Sequence, residues 1–203
     1  LLVGGIGQAA KLPHYLTGNV LNGLHGRTLP NATGTKVANS ELTVIVTTGD
    51  GDCYAEGGNH LLHAIRRNVD ITCIVHNNQV YGLTRGQASP TSDPGFITRV
   101  QPHGVIQSRF NALAVVLAMG GTFAARSFSG DQDHLSRMIQ AAVRHKGFSL
   151  LEVLQPCVSF NHVNTFAWYK ERVYDVNTEE GYDPSSKAMA FEKALQWNNK
   201  IPI

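Results

Sequence analysis

Asp50 and Asn78 are the residues of this chain whose types and spacing point most directly to chemistry. Asp50 stands in Gly49-Asp50-Gly51-Asp52, and Asn78 closes the triplet His76-Asn77-Asn78. Both side chains offer oxygen, and an oxygen-only pair beside exposed backbone N–H groups suits a hard cation bridging to a diphosphate. The elements that must position them lie on either side. Leu42-Thr43-Val44-Ile45-Val46-Thr47-Thr48 is short, apolar and β-branched, the pattern of a buried strand, and Ile71-Thr72-Cys73-Ile74-Val75 repeats it. A helical segment runs between them, from about Ala55 to Arg67. The separation of about 28 residues is that of one strand–helix–strand crossover. Asp50 and Asn78 then each sit just past the C-terminal end of a parallel strand, where open α/β sheets keep their ligands.

The rest of the chain continues the alternation. The spacing predicts a short helix over Gln8–Leu16 interrupted by Pro13, and another over Leu29–Ala38. Tyr81–Thr91 reads as a polar, glycine-bearing active-site loop, and Ser92–Gln107 as loop. A helix (Phe110–Met119), a strand (Thr122–Phe128), a helix (Gln132–His145) and a strand (Phe148–Leu154) follow, with a last helix over Lys187–Trp197. This predicts an α/β fold with a doubly wound, mainly parallel sheet and helices on both faces, in a single domain over residues 1–203.

Gly-Asp-Gly, then a crossover, then Asn-Asn is the thiamine diphosphate-binding motif. With it stand Gly57-Gly58-Asn59-His60, Arg66-Arg67-Asn68-Val69-Asp70-Ile71 and Tyr81-Gly82-Leu83-Thr84-Arg85-Gly86-Gln87-Ala88-Ser89-Pro90-Thr91, and later the segment from Asn164 to Tyr174. Together they resemble the β subunit of a 2-oxoacid:ferredoxin oxidoreductase, most closely the 2-oxoglutarate type. The resemblance implies thiamine diphosphate and Mg²⁺ as cofactors. Asp50 and Asn78 would give side-chain oxygens to Mg²⁺, and Val80 its backbone carbonyl. Gly49, Gly51 and Asp52 would adjoin the diphosphate, the last two through N–H groups at a helix start; helix capping is an equal role for Asp52. Ile6, Gly7, Gln8 and Ala9 would border the thiazolium and diphosphate, and Gly82 and Leu83 would also touch the cofactor. His25, in His25-Gly26-Arg27, falls near the cofactor's reactive half and is the candidate catalytic residue. Lys11 falls at the substrate end, although a solvated surface lysine reads as well there. Arg85 is placed to pair with the distal carboxylate of a dicarboxylic 2-oxoacid.

The same resemblance implies oxidative decarboxylation of a 2-oxoacid, with coenzyme A taking the acyl group and ferredoxin the electrons. In that family the glutamate that activates the cofactor comes from an α subunit, so this chain is expected to need that partner; Glu56 lies on the wrong side to replace it. Relatives begin earlier, with a Cys-Pro-x-Cys segment, and carry cysteine where this chain has Gln8. Cys157 matches another ligand of their [4Fe–4S] cluster. One thiolate cannot hold a cluster, so within this chain Cys157 reads as a free cysteine. Two further readings stand beside the first. One is a thiamine-dependent subunit with another electron route or another substrate such as pyruvate; the other is a cofactor-free structural subunit.

Composition fits these readings. A hydrophobic content of 42% and a charged content of 16% suit a compact enzyme domain. The net charge of +2 argues neither for nor against a partner, and no basic tract with interleaved aromatics speaks for nucleic acid. No apolar run approaches about 18 residues, so no membrane span is expected, and Leu1-Leu2-Val3 lacks the features of a signal peptide. Three unpaired cysteines point to a reducing compartment, provisionally the cytoplasm. Cys53 and Cys73 read as core residues, and His60, His63 and His76 as packing residues.

Overall fold

In the computed structural model, which describes residues 1–203, the β-branched runs become strands and the periodic stretches between them become helices. In chain order these are β1 (Leu2–Gly4), a 3-10 segment (Ala9–Tyr15), β2 (Val20–Asn22), α1 (Thr28–Ala38) and β3 (Ile45–Gly49). A π-helical turn (Gly51–Glu56), α2 (Gly58–Arg67) and β4 (Thr72–Asn77) come next. A small hairpin, β5 (Val80–Tyr81) and β6 (Gln87–Ala88), precedes α3 (Ala112–Ala118), β7 (Phe123–Phe128), α4 (Gln132–Arg144) and β8 (Ser149–Leu154). The chain ends with α5 (Phe166–Lys170), β9 (Val173–Tyr174), a 3-10 turn, α6 (Lys187–Ala194) and β10 (Ile201–Pro202).

One six-stranded sheet, in the order β2-β1-β3-β4-β8-β7, organises the molecule, and every pairing in it is parallel. Successive residues of a strand face opposite sides, and both sides are apolar here. Val46, Cys73, Val75 and Leu150 pack beneath α1, α2 and α3 through Leu29, Leu61, Ile65 and Leu113. Ile74, Leu151 and Val153 pack against α4 through Ala142, Leu135 and Met138. The sheet is therefore doubly wound, with its central strands shielded on both faces. A separate cluster of Phe128, Leu154, Tyr169, Ile201 and Ile203 ties the C-terminal segment to the ends of β7 and β8.

Several elements differ from the sequence expectation. The helix expected from Ala55 is two pieces. Gly57 N–H bonds to Asp52 O, a five-residue step, and a side chain on Gly57 would come within 2.7 Å of that same carbonyl. Glycine thus permits the wide turn over Gly51–Glu56 before α2 begins. The segment over Ala9–Tyr15 is 3-10, not α. The first strand of the motif begins at Ile45 rather than Leu42, and α6 stops at Ala194. Tyr81–Thr91 is no simple loop, because β5 and β6 pair antiparallel within it. The edge strand β2, exposed along its length, α5 and the β9–β10 pair have no counterpart in the sequence reading.

Asn68 closes α2 in the left-handed conformation, φ 48°, and its Oδ1 accepts Phe148 N–H at 2.9 Å, which fixes α2 to the start of β8. Leu61, fully buried on the inner side of α2, carries much of that helix's contact with the sheet. Leu61→Ala is expected to cost roughly 2–5 kcal/mol of unfolding free energy. Urea denaturation should show a lower midpoint with an unchanged slope.

Candidate cofactor site

β3 and β4 are neighbours in register, with Gly49 level with His76. Asp50 and the pair Asn77-Asn78 therefore leave the sheet side by side. A cleft of about 80 Å³ opens there. Ile6, Gly7, Gln8 and Ala9, from the turn after β1, form one wall, and Gly49, Asp50, Gly51 and Asp52 form the floor. Asn78, Val80, Gly82 and Leu83 form the other wall, and His25 reaches in from the segment before α1. Three candidates stand outside the lining. Lys11 is solvent-exposed on the 3-10 segment, Arg85 is exposed at the tip of the β5–β6 hairpin with φ 81°, and Cys157 lies behind Gly82. A larger cavity of about 610 Å³ runs along the edge strand β7, includes none of the cleft residues, and is lined mainly by apolar groups.

Asp50 is 2% exposed. Its Oδ2 accepts the hydroxyls of Ser89 at 2.5 Å and Thr91 at 2.6 Å, both carried by the strand and turn that fold back after the hairpin. Burial pushes this carboxyl up to about 6, against the opposing pull of those two donors. Both hydroxyls serve one oxygen, so Oδ1 has no side-chain donor. Asn78 Oδ1 accepts Val80 N–H at 3.1 Å, which shapes the turn and leaves a second lone pair. Asn77 is wholly buried; its Nδ2 donates to Glu152 Oε1 at 3.0 Å and its Oδ1 accepts from Thr91 Oγ1 at 2.8 Å.

Asp52 points the other way. Its Oδ1 accepts Gly26 N–H at 2.7 Å, and its Oδ2 accepts the hydroxyls of Thr28 at 3.2 Å and Thr48. The side chain thus caps no helix end. It anchors the 26–28 segment to β3 and so holds His25 at the cleft. His25 Nε2 lies 3.3 Å from Glu56 Oε2 and 3.5 Å from Asp52 Oδ1. Tyr81 OH donates to Glu56 at 3.1–3.2 Å, and burial beside that acid pushes the Tyr81 phenol well up. The Tyr81 ring also lies on Gly51, where any side chain would overlap it, so Gly51 must be glycine for packing alone. His76, read above as structural, lines the cleft; its Nδ1 bonds to Gln155 and burial lowers its pKa.

Ser89, Thr91 and Tyr81 entered the sequence reading only as members of an active-site loop, and Glu56 only as an acid on the wrong side, so their individual contacts were missed. The signal for the first two was present in Ser89-Pro90-Thr91, two hydroxyls flanking a proline, but their acceptor lies about 40 residues away in the chain.

The donor set fits the cofactor implied above. Carboxylate, carboxamide and carbonyl oxygens at two rigid strand ends suit Mg²⁺. Gly7, at φ 105°, has open space where a side chain would sit, and at Gly82 a side chain would meet only Gln8 and Cys157 at 3.7 Å. These positions leave a cradle that any larger residue would fill. For a [4Fe–4S] cluster these residues do not fit. Gln8 and Cys157 do flank Gly82 together, but a carboxamide and one thiol do not make a cluster cage.

Fold and cleft define a thiamine diphosphate-binding domain, and residues 5–153 match the family model "Thiamine pyrophosphate enzyme, C-terminal TPP binding domain". Residues 157–203 match the family model for the C-terminal part of the pyruvate ferredoxin oxidoreductase beta chain. The chain is 42% identical, over its whole length and 67% of the relative, to subunit beta of 2-oxoacid:ferredoxin oxidoreductase 1 from Aeropyrum pernix. It is 41% identical, over 84% of its length and 46% of the relative, to a 2-oxoglutarate oxidoreductase subunit of Mycobacterium tuberculosis. Its fold superposes with a TM-score of 0.95, at 35% identity over 99% of this chain and 68% of the other, on the 2-oxoglutarate:ferredoxin oxidoreductase from Magnetococcus marinus. That structure holds 2-oxoglutarate, coenzyme A and succinyl-CoA. The chain belongs to the family of 2-oxoacid:ferredoxin oxidoreductase β subunits.

Removing the acceptor that anchors the 26–28 segment tests the local architecture. Asp52→Ala leaves Gly26 N–H buried without a partner, at a cost of about 1–3 kcal/mol. Amide hydrogen exchange at Gly26 should accelerate while the amides of β4 stay protected. Unchanged protection at Gly26 would show that the anchor lies elsewhere.

Proposed function

We propose that this chain is the thiamine diphosphate- and Mg²⁺-binding β subunit of an enzyme that oxidatively decarboxylates a 2-oxoacid, preferring 2-oxoglutarate to pyruvate. Coenzyme A accepts the acyl group and ferredoxin the electrons. The observation that carries this reading is the meeting of Asp50, Asn78 and Val80 at the ends of two adjacent parallel strands, in one cleft with the Ile6–Ala9 turn.

The bound cofactor supplies the nucleophilic carbon and the electron sink for loss of CO₂. The chain's own residues bind and orient. Asp50 and Asn78 would hold the Mg²⁺ with their side-chain oxygens and Val80 with its carbonyl, and Gly49, Gly51 and Asp52, at the floor, would adjoin the diphosphate. A diphosphate is an anion, and this floor carries carboxylates, so a divalent cation must neutralise both. Ile6–Ala9 on one wall and Gly82–Leu83 on the other would border the bound cofactor. His25, braced by Glu56 and Asp52, presents its ring at the cleft and is positioned to hold or move a proton there.

Glu56 is committed to Tyr81 and His25, so it is not the acid that activates the cofactor. An α subunit supplies that group in this reading, and the chain alone is inactive. Its three cysteines are free, which supports a reducing, cytoplasmic site of action.

Asp50→Asn in the complex with the α subunit should abolish Mg²⁺-dependent binding of thiamine diphosphate, read by calorimetry, while the circular dichroism spectrum stays native. A 2-oxoacid panel with ferredoxin as acceptor tests the substrate class, and turnover of pyruvate above 2-oxoglutarate would reverse the assignment. Arg85, at the hairpin tip, is proposed to meet the substrate's distal carboxylate, and Lys11 to stand at the substrate end of the cofactor. Arg85→Gly should lower kcat/KM for 2-oxoglutarate by about tenfold, the worth of one charge-assisted pair, and leave pyruvate unchanged.

A further inference from the structure

Glu152 and Arg126 form a buried pair that none of the roles above uses. Glu152, at the middle of β8, is 2% exposed, and Arg126, on the neighbouring strand β7, is 4% exposed. Arg126 Nε donates to Glu152 Oε2 at 2.8 Å. The other oxygen, Oε1, accepts from Asn77 Nδ2 at 3.0 Å and from Tyr54 OH at 3.4 Å. Asn77 Oδ1 then accepts from Thr91 Oγ1 and from Gln79 N–H at 3.3 Å, and Thr91 Oγ1 also lies 2.6 Å from Asp50 Oδ2. One continuous path thus runs from the edge of the sheet to the carboxylate at the floor of the cleft.

We propose that Glu152 is a positioning residue for the metal anchor: held by Arg126, it sets the orientation of the Asn77 carboxamide and, through it, of Thr91, Asp50 and the turn that carries Asn78 and Val80. The inference rests on the assignment of Asp50 and Asn78 as metal ligands. The reason lies in donor and acceptor count. A carboxylate only accepts, so Asn77 must turn its NH₂ toward Glu152 and its carbonyl toward Thr91 and Gln79. With the opposite orientation the carbonyl would face the carboxylate, and the NH₂ would face the Gln79 N–H. Thr91 has one proton and lies between two acceptors, the Asn77 carbonyl and Asp50. Glu152, by turning the Asn77 carbonyl toward Thr91, therefore fixes the hydroxyl between that carbonyl and Asp50, and with it the orientation of the Asp50 carboxylate. The same Asn77 carbonyl, by accepting Gln79 N–H, fixes the turn on which Asn78 and Val80 lie. Gln79 sits in that turn at φ 61°, a conformation that needs such support.

The test uses the full-length chain in complex with its partner subunit. Glu152→Asp keeps a charge opposite Arg126 but withdraws it from Asn77. Glu152→Gln combined with Arg126→Gln removes both charges, so that no lone buried charge remains to unfold the protein. Thr91→Val breaks the path one step from Asp50, and Thr91→Ser keeps the hydroxyl. The Mg²⁺ concentration giving half-maximal binding of thiamine diphosphate is the readout, since a merely structural role would lower thermal stability without moving it. Glu152→Asp, the double variant and Thr91→Val are each expected to raise it about tenfold or more, the usual cost of losing a group that orients a metal ligand. Thr91→Ser should restore the wild-type value. Adding Glu152→Asp to Thr91→Val should add little, as for two residues on one path. Half-saturation within twofold of wild type for both Glu152 variants, with Asp50→Asn still abolishing Mg²⁺-dependent binding, overturns the role of Glu152 and leaves the anchor standing. Mg²⁺-dependent binding that survives Asp50→Asn overturns the anchor itself.

Discussion

A carboxylate taken out of water at the end of a strand needs compensation, because desolvating an ion costs several kcal/mol even after the protein relaxes. Asp50 is in that position, and much of the chain around it is arranged in response. β3 carries it to the edge of the core, and the hairpin after β4 folds back so that Ser89 and Thr91 can donate to it. Two neutral hydroxyls offset only part of the cost, which is why the carboxyl still titrates near 6. A divalent cation, as proposed for this site, would offset the remainder.

The second aspartate of the same turn solves a different problem. Asp50 and Asp52 are two residues apart, yet one faces the cleft and the other is consumed by Gly26, Thr28 and Thr48. The wide turn over Gly51–Glu56 separates them, and Gly57 allows it to close. Asp52 thereby converts a loop after β2 into a fixed wall bearing His25. Two identical side chains in one tetrapeptide thus divide into a binding group and a structural clamp, and the division is set by backbone geometry.

How much of this was legible in the sequence follows the range of each interaction. The strand runs ending at Thr48 and Val75 are local signals, and so are the polar residues placed immediately after them. The doubly wound sheet followed from strands and helices alternating along the chain. What was hidden depends on distance or on brevity. Ser89 and Thr91 meet Asp50 across about 40 residues, and Glu152 meets Asn77 across 75. No periodicity encodes such pairings. β2 and the β9–β10 pair are two or three residues long, too short for an alternation to register. The π-helical turn over Gly51–Glu56 escaped because it spans the polar turn and the first residues of the helix expected from about Ala55, and neither carries a signal of a wider coil. Lys11 and Arg85 came from resemblance alone, and both stand outside the cleft's lining.

The shape of the cleft's mouth bears on what completes it. Ile6 and Leu83 line opposite walls and are 41% and 48% exposed, and Leu24, just before His25, is 75% exposed. Apolar side chains ringing a polar floor are costly to leave in water and ill suited to face a charged diphosphate; they suit a second protein surface laid over the cofactor's ring end. The acids point the same way. Asp50, Asp52 and Glu56 are all engaged on this chain's side of the cleft, so none remains to act on the ring from the far side. Such a mouth fits the proposed division, in which this chain would dock the diphosphate through Asp50 and Asn78 and a partner chain would close over the ring.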